Sequence, residues 1–413
     1  MNPLTPARER RLLWLLALTQ FTIIMDFMVM MPLGPQIMRA FSISPAAFAT
    51  AVSAYSWCSG LSGLFATAYI DRFDRRKLLL VIYGLFAASN LLCALAPNFH
   101  LLLFARAFAG LTGGVMGSIV MAIVSDVVPP QRRGAATGVI MTAFSLAAIA
   151  GVPAGIVLGA HYGWSTPFFL LVVLSVLIWG LGAKLVPPLA EHLSRGVPPL
   201  SRVLPDLLEL FRTPGHQRAF LLTALVMVSH MMVIPFISPV LVANHGIEPQ
   251  QISWIYMAGG AATFFTSRAI GRMADRFGKH RVFRVMALVS MAPVLLVTHL
   301  PDWPFWALVA FFPCFMVAVS GRMIPMQALI TTVPEPRHRG AFLSVNSAVQ
   351  SICNGCGAWL GGLLLSSGGG GRILGYGENG LFAVALVAVA MWWIGRVAAF
   401  DAGAEPALSV PAD

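Results

Sequence analysis

Long apolar runs constrain this chain more than any other feature of its sequence. Most are roughly 18–25 residues long, the length that a helix needs to cross the hydrocarbon core of a bilayer. Backbone groups find no water there, so each run must satisfy its own hydrogen bonds as a helix. The 413 residues are 58% hydrophobic and 10% charged, which is not the composition of a soluble globular protein. The sequence therefore predicts an all-α integral membrane protein.

Twelve apolar spans can be placed along the chain, with one long polar interval near its middle. They cover residues 12–37, 46–70, 77–97, 100–126, 134–160, 164–186, 219–244, 250–271, 281–300, 303–331, 339–366 and 379–400. We predict an N-terminal six-helix bundle (1–186), a cytoplasmic linker (187–218), a C-terminal six-helix bundle (219–400) and a cytoplasmic tail (401–413). An amphipathic piece of the linker, Leu204 to Phe211, predicts a surface helix.

The distribution of lysine and arginine predicts the orientation. If the N-terminus is cytoplasmic, the inner segments hold 22 of the 27 cations and the outer segments hold 2. This asymmetry follows the positive-inside rule and predicts that both termini are cytoplasmic, in a bacterial-type inner (plasma) membrane. It also accounts for the net charge of +11 without a nucleic-acid partner.

A short charged sequence occurs twice, each time after a long apolar run. The first copy carries Asp71 and Arg72, and the second carries Asp275 and Arg276, with 204 positions between the two aspartates. That separation is about half the chain, so it indicates a duplication of the two halves rather than a solenoid repeat. Basic loops on the inner side often serve only to set the topology. The aspartate, the spacing and the duplication indicate a further role for this loop.

The second copy resembles the loop between helices 2 and 3 of the major facilitator superfamily, in Gly271, Asp275, Arg276, Gly278, His280 and Arg281. The first copy has Thr67 and Asp74 where the family has glycine. Similar motifs follow in helix 4, with Arg106, Gly110, Gly113 and Gly114, and in helix 5, with Gly138, Gly151, Pro153, Gly155 and Gly159. The helix-5 glycines resemble those of drug/proton antiporters, and their Gly-Val-Pro spacing is similar to the arabinose-efflux-permease-like branch.

The resemblance implies two pseudo-symmetric six-helix bundles with a small-molecule site between them, working by alternating access and functional as a monomer. It implies no cofactor besides the proton gradient. It also implies a gating charge cluster that stabilises the outward-facing state, for which the candidates are Asp71, Arg72, Arg75, Asp126, Asp275 and Arg276.

Of the carboxylates, Asp26 alone lies deep inside an apolar run. It lies about 21 Å from the inner edge of its span and Arg106 about 9 Å from the outer edge, at 1.5 Å per residue, so the two share a level in a core of roughly 30 Å. We expect Asp26 to bind the proton and Arg106 to tune it, since a nearby cation favours the ionised form and burial the neutral form. A static pair between helices 1 and 4, or contact of Asp26 with a cationic substrate, are the alternatives.

Further polar groups within the spans are candidates for a substrate cavity: Tyr55, His230, Arg322, Asn346, Gln350 and Asn354. Asn346, Gln350 and Asn354 recur every four residues and so share one face of a helix. They line a cavity or join helices to one another, while His230 is equally compatible with packing. Arg322 is too deep to reach water easily and has no acid at its level, so it meets a polar or anionic substrate or helix-end carbonyls.

These observations predict a secondary transporter, most simply a proton-driven antiporter that exports a small organic molecule. A proton symporter or facilitator for uptake is the first alternative, and a membrane-embedded enzyme or sensor is the second. No Gly-Lys-Ser/Thr loop or hydrolase motif is present, so ATP hydrolysis and enzymatic catalysis are disfavoured. Cys353 and Cys356 lie in a glycine-rich span without a second ligand pair, so we expect no metal site.

Overall fold

The computed structural model describes residues 5–190, 193, 200–335 and 338–398. The helices are α1 (Pro6–Val29), α2 (Gly34–Phe41), α3 (Pro45–Tyr69), α4 (Arg75–Ala94), α5 (Phe99–Val127), α6 (Arg133–Leu146), α7 (Val152–Tyr162), α8 (Thr166–Leu185), α9 (Leu200–Arg212), α10 (Pro214–Met231), α11 (Ile237–His245), α12 (Pro249–Phe277), α13 (Lys279–Thr298), α14 (Phe305–Ile330), α15 (Arg339–Leu364) and α16 (Tyr376–Trp393). Two short strands, β1 (Ser366–Ser367) and β2 (Ile373–Leu374), pair antiparallel between α15 and α16.

The predicted all-α membrane fold is confirmed. In the described ranges, nine helical segments are long and apolar enough to cross a membrane, and α3 counts as a tenth when the preceding α2, bent by 117° from it, is included. The helices α12 and α15 have 29 and 26 residues and occupy the two remaining predicted spans. They are less apolar because α12 carries Arg268 and Arg272 and α15 carries three amide side chains.

Alternating helices define two ends of the bundle. The loops around residues 70–74, 130–132 and 278 lie at one end, which we call the basic end. The loops at 42–44, 163–165 and 246–248 lie at the other, which we call the opposite end. The positive-inside rule predicts that the basic end faces the cytoplasm.

The first helix of each half is broken at corresponding places. In the N-terminal half the break between α1 and α2 contains Pro32, and in the C-terminal half the break between α10 and α11 contains Pro235. Proline has no N–H to donate and disfavours helical backbone in the residue before it. Inside a membrane the freed carbonyls need other donors, and α16 supplies two. Asn379 donates to the carbonyl of Met232 at 3.0 Å and Tyr376 donates to that of Val233 at 3.1 Å.

The fifth predicted span (134–160), which we call helix 5, comprises α6 and α7 and is irregular where its glycine and proline motif lies. A π-helical turn, Ala147–Gly151, separates α6 from α7, and Pro153 follows directly. Because proline lacks an N–H, the carbonyl four residues earlier loses its usual helical donor, and a widened turn accommodates the mismatch. Such π-turns are frequent at functional sites.

The two copies of the repeated loop begin their next helix in different ways. Asp74 caps α4, since its carboxylate accepts hydrogen bonds from the backbone N–H groups of Arg76 and Lys77. At the matching position, 204 residues later, Gly278 adopts a φ of 89° between α12 and α13, which favours glycine. Asp74 therefore replaces the family's glycine with a side-chain cap.

Buried apolar residues show how the two halves meet. At the basic end each half has its own core, with Phe86 and Ile119 in one and Phe220 and Phe283 in the other. Toward the opposite end two clusters join the halves. One packs Ala49, Val152 and Ile156 with Phe236, Ile237 and Val240, and the other packs Met231 and Ala358 with residues of the N-terminal half such as Val52. The hydroxyl of Ser238 also donates across the halves to the carbonyl of Pro32, at 2.9 Å. The halves are thus sealed together at the opposite end.

The segment between the halves differs in its bounds from the prediction. The amphipathic helix α9 is longer than the predicted piece 204–211, and Leu210 on it is buried against the C-terminal half. The helix α10 begins at Pro214, five residues before the predicted boundary at 219, because Pro214 is a favourable first helical residue. The last span ends earlier than predicted, since α16 ends at Trp393. The tail 401–413 lies outside the described residues, and the domain division stays a prediction.

Candidate functional site

Asp26 on α1 and Arg106 on α5 meet in the interior of the N-terminal half. The Arg106 Nη1 atom donates to the Asp26 Oδ1 atom at 2.6 Å, and the side chains are 0% and 1% exposed. The second carboxylate oxygen, Oδ2, and the Arg106 Nε atom have no hydrogen-bond partner among the described residues. Asp26 thus has one oxygen bound to a cation and one oxygen available to a proton.

Tyr55 and Cys93 complete the surroundings of this pair. The Arg106 guanidinium carbon lies 4.4 Å from the centre of the Tyr55 ring, a distance suited to a cation–π interaction. The buried Cys93 on α4 lies beside the same guanidinium. The close approach of α3 to α5 requires Gly110, where a Cβ would overlap the carbonyl oxygen of Tyr55. Tyr55, predicted to line a cavity, therefore lies against Arg106.

The glycines of helix 5 pack against helix 1, on either side of the level of Asp26. A Cβ at Gly151 would lie 3.3 Å from Met25, one at Gly155 would overlap Val29, and one at Gly159 would overlap Leu33. Both sets recur every four residues, so a ridge that runs from α1 to Leu33 lies in a groove formed by the π-helical turn and α7. Pro153 is buried in α7 within the same stretch. Gly138 is different, because nothing lies within 4 Å of the position of a Cβ there.

Three of the predicted gating charges come together at the basic end. Arg75 is 5% exposed and donates to Asp71 at 2.5 Å, to Asp126 at 3.2 Å and to the carbonyl of Ile70 at 2.7 Å. The side chains of Asp71 and Asp126 are 56% and 28% exposed. Arg75 therefore ties the loop after α3 to the end of α5.

The second copy of the loop makes a different arrangement. Asp275 and Arg276 are exposed, and the Arg276 guanidinium carbon lies 5.3 Å from the centre of the Phe277 ring. Within the residues that the structure describes, neither forms an ion pair. Arg72 lies in the short helical turn after α3. The structure thus gathers Asp71, Arg75 and Asp126, and leaves Asp275 and Arg276 apart from them.

In the C-terminal half Arg322 lies on α14 and is 1% exposed. Its Nη1 atom donates to the hydroxyl of Ser290 and its Nη2 atom to the hydroxyl of Ser229, both at 3.1 Å. The Nε atom of Arg322 and the Nδ1 atom of His230 are buried without a hydrogen-bond partner in the described part of the chain. His230 on α10 lies within electrostatic range of Arg322.

The three amides on α15 have separate surroundings. Asn346 is 4% exposed and accepts a hydrogen bond from Thr223 on α10 at 2.8 Å, so it joins two helices of its own half. Gln350 is half-buried. The Oδ1 atom of Asn354 is buried and has no partner in the described segments, which leaves it available to a ligand.

Several of these contacts could not be located from the sequence. Ser229, Ser290 and Cys93 are small residues inside apolar runs, and no spacing rule singles them out. Which residues of two different helices contact each other depends on how the helices pack, and the sequence does not show this. Only the buried charged residues could be recognised as candidates. Asp26 and Arg106 were detectable because ionisable residues are rare at that depth.

The model of the Major Facilitator Superfamily matches residues 16–224 and again residues 219–411. The chain belongs to this superfamily. The family consists of transporters rather than enzymes, so the chain is a secondary transporter of small molecules and an integral membrane protein.

Solved structures give the same fold. A bacterial homolog of the human lysosomal transporter Spinster, inward-facing and unoccupied, is 17% identical with a TM-score of 0.74, over 95% of this chain and 97% of that one. The human organic anion transporter MFSD10 is 16% identical with a TM-score of 0.69, over 95% and 100%. The xylose transporter XylE from E. coli, in an inward open conformation, is 15% identical with a TM-score of 0.70, over 95% and 97%.

Proposed function

We propose that this transporter is a proton-coupled antiporter that exports a small organic molecule, with Asp26 as the proton-binding group. The observation that carries the proposal is the buried ion pair of Asp26 and Arg106, in which Oδ2 of the carboxylate has no partner in the described residues. A buried carboxylate held by one arginine is close to the balance between two opposing effects. The arginine favours the ionised form and the apolar surroundings favour the protonated form.

Alternating access would shift this balance twice in each cycle. When the halves rock, α1 and α5 change their surroundings and the Asp26–Arg106 contact lengthens or shortens. Lengthening the contact would promote proton uptake, and shortening it would promote release. Gly151 and Gly155 pack against Met25 and Val29. A movement of helix 5 would therefore be transmitted directly to the part of α1 that carries Asp26.

Export is the direction that the helix-5 motif supports, because Gly151, Pro153, Gly155 and Gly159 resemble the pattern of drug/proton antiporters of the arabinose-efflux-permease-like branch. On this proposal a proton moves inward as each solute moves outward. The gating cluster of Asp71, Arg75 and Asp126 would stabilise one of the two end states, and the protein would work as a monomer with both termini in the cytoplasm.

The test compares Asp26→Asn with the wild type and with Asp302→Asn, which removes a carboxylate whose side chain is 97% exposed. A thermal-shift screen of small organic molecules on purified protein first selects ligands. Each ligand is then added to everted membrane vesicles with an acidified lumen, and a pH-sensitive dye follows proton release. We expect wild type and Asp302→Asn to release protons and accumulate the ligand, and Asp26→Asn to do neither.

Two results would contradict the proposal in different ways. Unchanged proton release in Asp26→Asn would remove the carboxylate from the coupling. Loss of a ligand loaded into the lumen beforehand, together with protons, would establish symport and hence uptake in the cell.

A further inference from the structure

Arg322 is a buried cation whose charge the protein does not neutralise within the described residues. Its side chain is 1% exposed, and no carboxylate of the described residues lies within ion-pair distance. Two serine hydroxyls accept hydrogen bonds from it, while its Nε atom has no partner there. Hydroxyl groups satisfy donors without supplying negative charge. Burying a cation without a counter-ion inside a membrane is energetically unfavourable, so such a residue is expected to have a function.

Arg106 provides an internal comparison. It has nearly the same exposure and lies on α5 in the other half, but it is paired with Asp26 at 2.6 Å. The fold can therefore neutralise a buried arginine with an acid from the first helix of the same half. In the C-terminal half it does not.

The repeat shows which residue stands where that acid would be. His230 lies 204 positions after Asp26, the offset that separates Asp71 from Asp275 and also separates the starts of α3 and α12 at Pro45 and Pro249. An imidazole is neutral or cationic, so it cannot neutralise a guanidinium. The position that matches Asp26 in the C-terminal half thus supplies no acid to Arg322.

We propose that Arg322, together with Ser229 and Ser290, binds the carboxylate group of the transported substrate, which is therefore an organic anion. The inference rests on the proposed transport function, since it names the chemistry of what is carried. A guanidinium presents N–H donors in a planar fork that matches both oxygens of a carboxylate. The partnerless Nε atom leaves one edge of that fork available.

Access to this site requires movement, because the guanidinium is buried here. The break between α10 and α11 begins at Met232, two residues after His230, and Pro325 lies within α14 one turn beyond Arg322. Both features weaken helical hydrogen bonding beside the site. A substrate carboxylate can therefore reach Arg322 when α10 shifts against α14.

Simple anions test this site without knowledge of the full substrate. Purified protein is melted in a buffer whose only other anion is a bulky sulfonate, with acetate or the isosteric neutral acetamide added at equal osmolarity. We expect acetate to raise the Tm of the wild type by about 2 °C or more at saturation, by binding the folded state alone, and acetamide to leave it unchanged. The shift with acetate should vanish in Arg322→Gln.

Two further variants control the experiment. Arg268→Gln removes an exposed cation from the same half and should keep the full shift. Arg322→Lys keeps the charge but loses the fork, so it should retain a smaller shift, and it replaces Arg322→Gln if that variant does not fold. An equal shift with acetamide, or a full shift in both Arg322 variants, would overturn the proposal.

Tests with inorganic anions distinguish a substrate carboxylate from a resident inorganic anion as the partner of Arg322. Chloride and phosphate are tested under identical conditions, and a shift as large as that with acetate would assign the site to a resident inorganic ion and overturn the substrate carboxylate. The melting assay involves no gradient. Failure of the Asp26 experiment would therefore leave this result intact, and failure here would leave proton coupling intact.

Discussion

At the scale of single residues, the same carboxylate chemistry has three settings in the N-terminal half. Asp26 is buried against Arg106, Asp71 shares Arg75 with Asp126 at the basic end, and Asp74 caps a helix. Their effects on transport should differ accordingly. Burial sets the strength of each interaction, because a partly exposed pair is screened by water.

Asp71 and Asp74 offer a matched pair of substitutions three residues apart. Asp71→Asn removes one of the two carboxylates on Arg75, and we expect it to lower the initial transport rate by about fivefold, equivalent to about 1 kcal/mol for a partly exposed pair. Asp74→Asn removes the same charge but keeps the cap, since asparagine is an equally good N-cap residue, so its rate should stay near that of the wild type.

Transport of a ligand identified by thermal shift, normalised to the amount of inserted protein, measures both variants. Equal rates for Asp71→Asn and the wild type would remove the gating role of the cluster. Equal losses in both variants would mean that the net charge of the loop matters rather than the contact with Arg75.

At the scale of helices, two glycines of the helix-5 motif have different surroundings: Gly155 packs against α1, whereas Gly138 does not. Gly155→Ala places a methyl group against Val29, and we expect a loss of about 1–3 kcal/mol from overpacking, more than the gain of up to about 1 kcal/mol in helix propensity. Gly138→Ala meets open space and should be neutral or slightly stabilising.

Thermal unfolding of the purified variants provides the measurement. Adding Val29→Ala to Gly155→Ala makes room for the new methyl group and should recover part of the lost stability. If Gly155→Ala and Gly138→Ala melt alike, the groove between α1 and α7 is not tightly packed.

The sequence predicts helices better than their irregularities. Run length and cation distribution located the spans, and depth along two helices placed Asp26 and Arg106 at one level. The breaks before Gly34 and Ile237 were missed because the apolar pattern continues through them, and Pro32 and Pro235 alone mark them. The end of α16 was misplaced for a similar reason, since apolar residues continue past Trp393. Contacts such as Ser290 with Arg322 depend on the packing of distant segments.

At the scale of the whole molecule, the halves share a core at the opposite end and have separate cores at the basic end. The π-helical turn approaches α12 across the halves, since a Cβ at Gly260 would lie 3.2 Å from the carbonyl oxygen of Ala148. Nearer the basic end on the same stripe of helix 5, Phe144 is 56% exposed. We therefore expect this face of α6 to line a water-filled opening toward the basic end.

Cysteine labelling tests this expectation in a variant without native cysteines. A cysteine at Phe144 should react with a membrane-impermeant maleimide applied from the cytoplasmic side. Val173 is also 56% exposed but lies on α8, whose apolar stretch is the least buried of the candidate spans in the described residues. We expect this helix to face lipid, so a cysteine at Val173 should not react. Equal protection of both positions would mean that α6 faces lipid at Phe144 and that the opening is absent.

The contact between Ser238 and Pro32 has a consequence for energetics. It is a hydrogen bond from the first turn of α11 to the interruption between α1 and α2, so separating the halves there exposes the irregular, readily hydrated backbone at Pro32. One such bond contributes about 1 kcal/mol net, and a proton crossing the membrane releases about 2.3 kcal/mol for each 100 mV of potential. Under the proposed coupling, the energy released by one proton exceeds the net contribution of this hydrogen bond. The apolar contacts around it determine how much of the driving force remains to move the substrate.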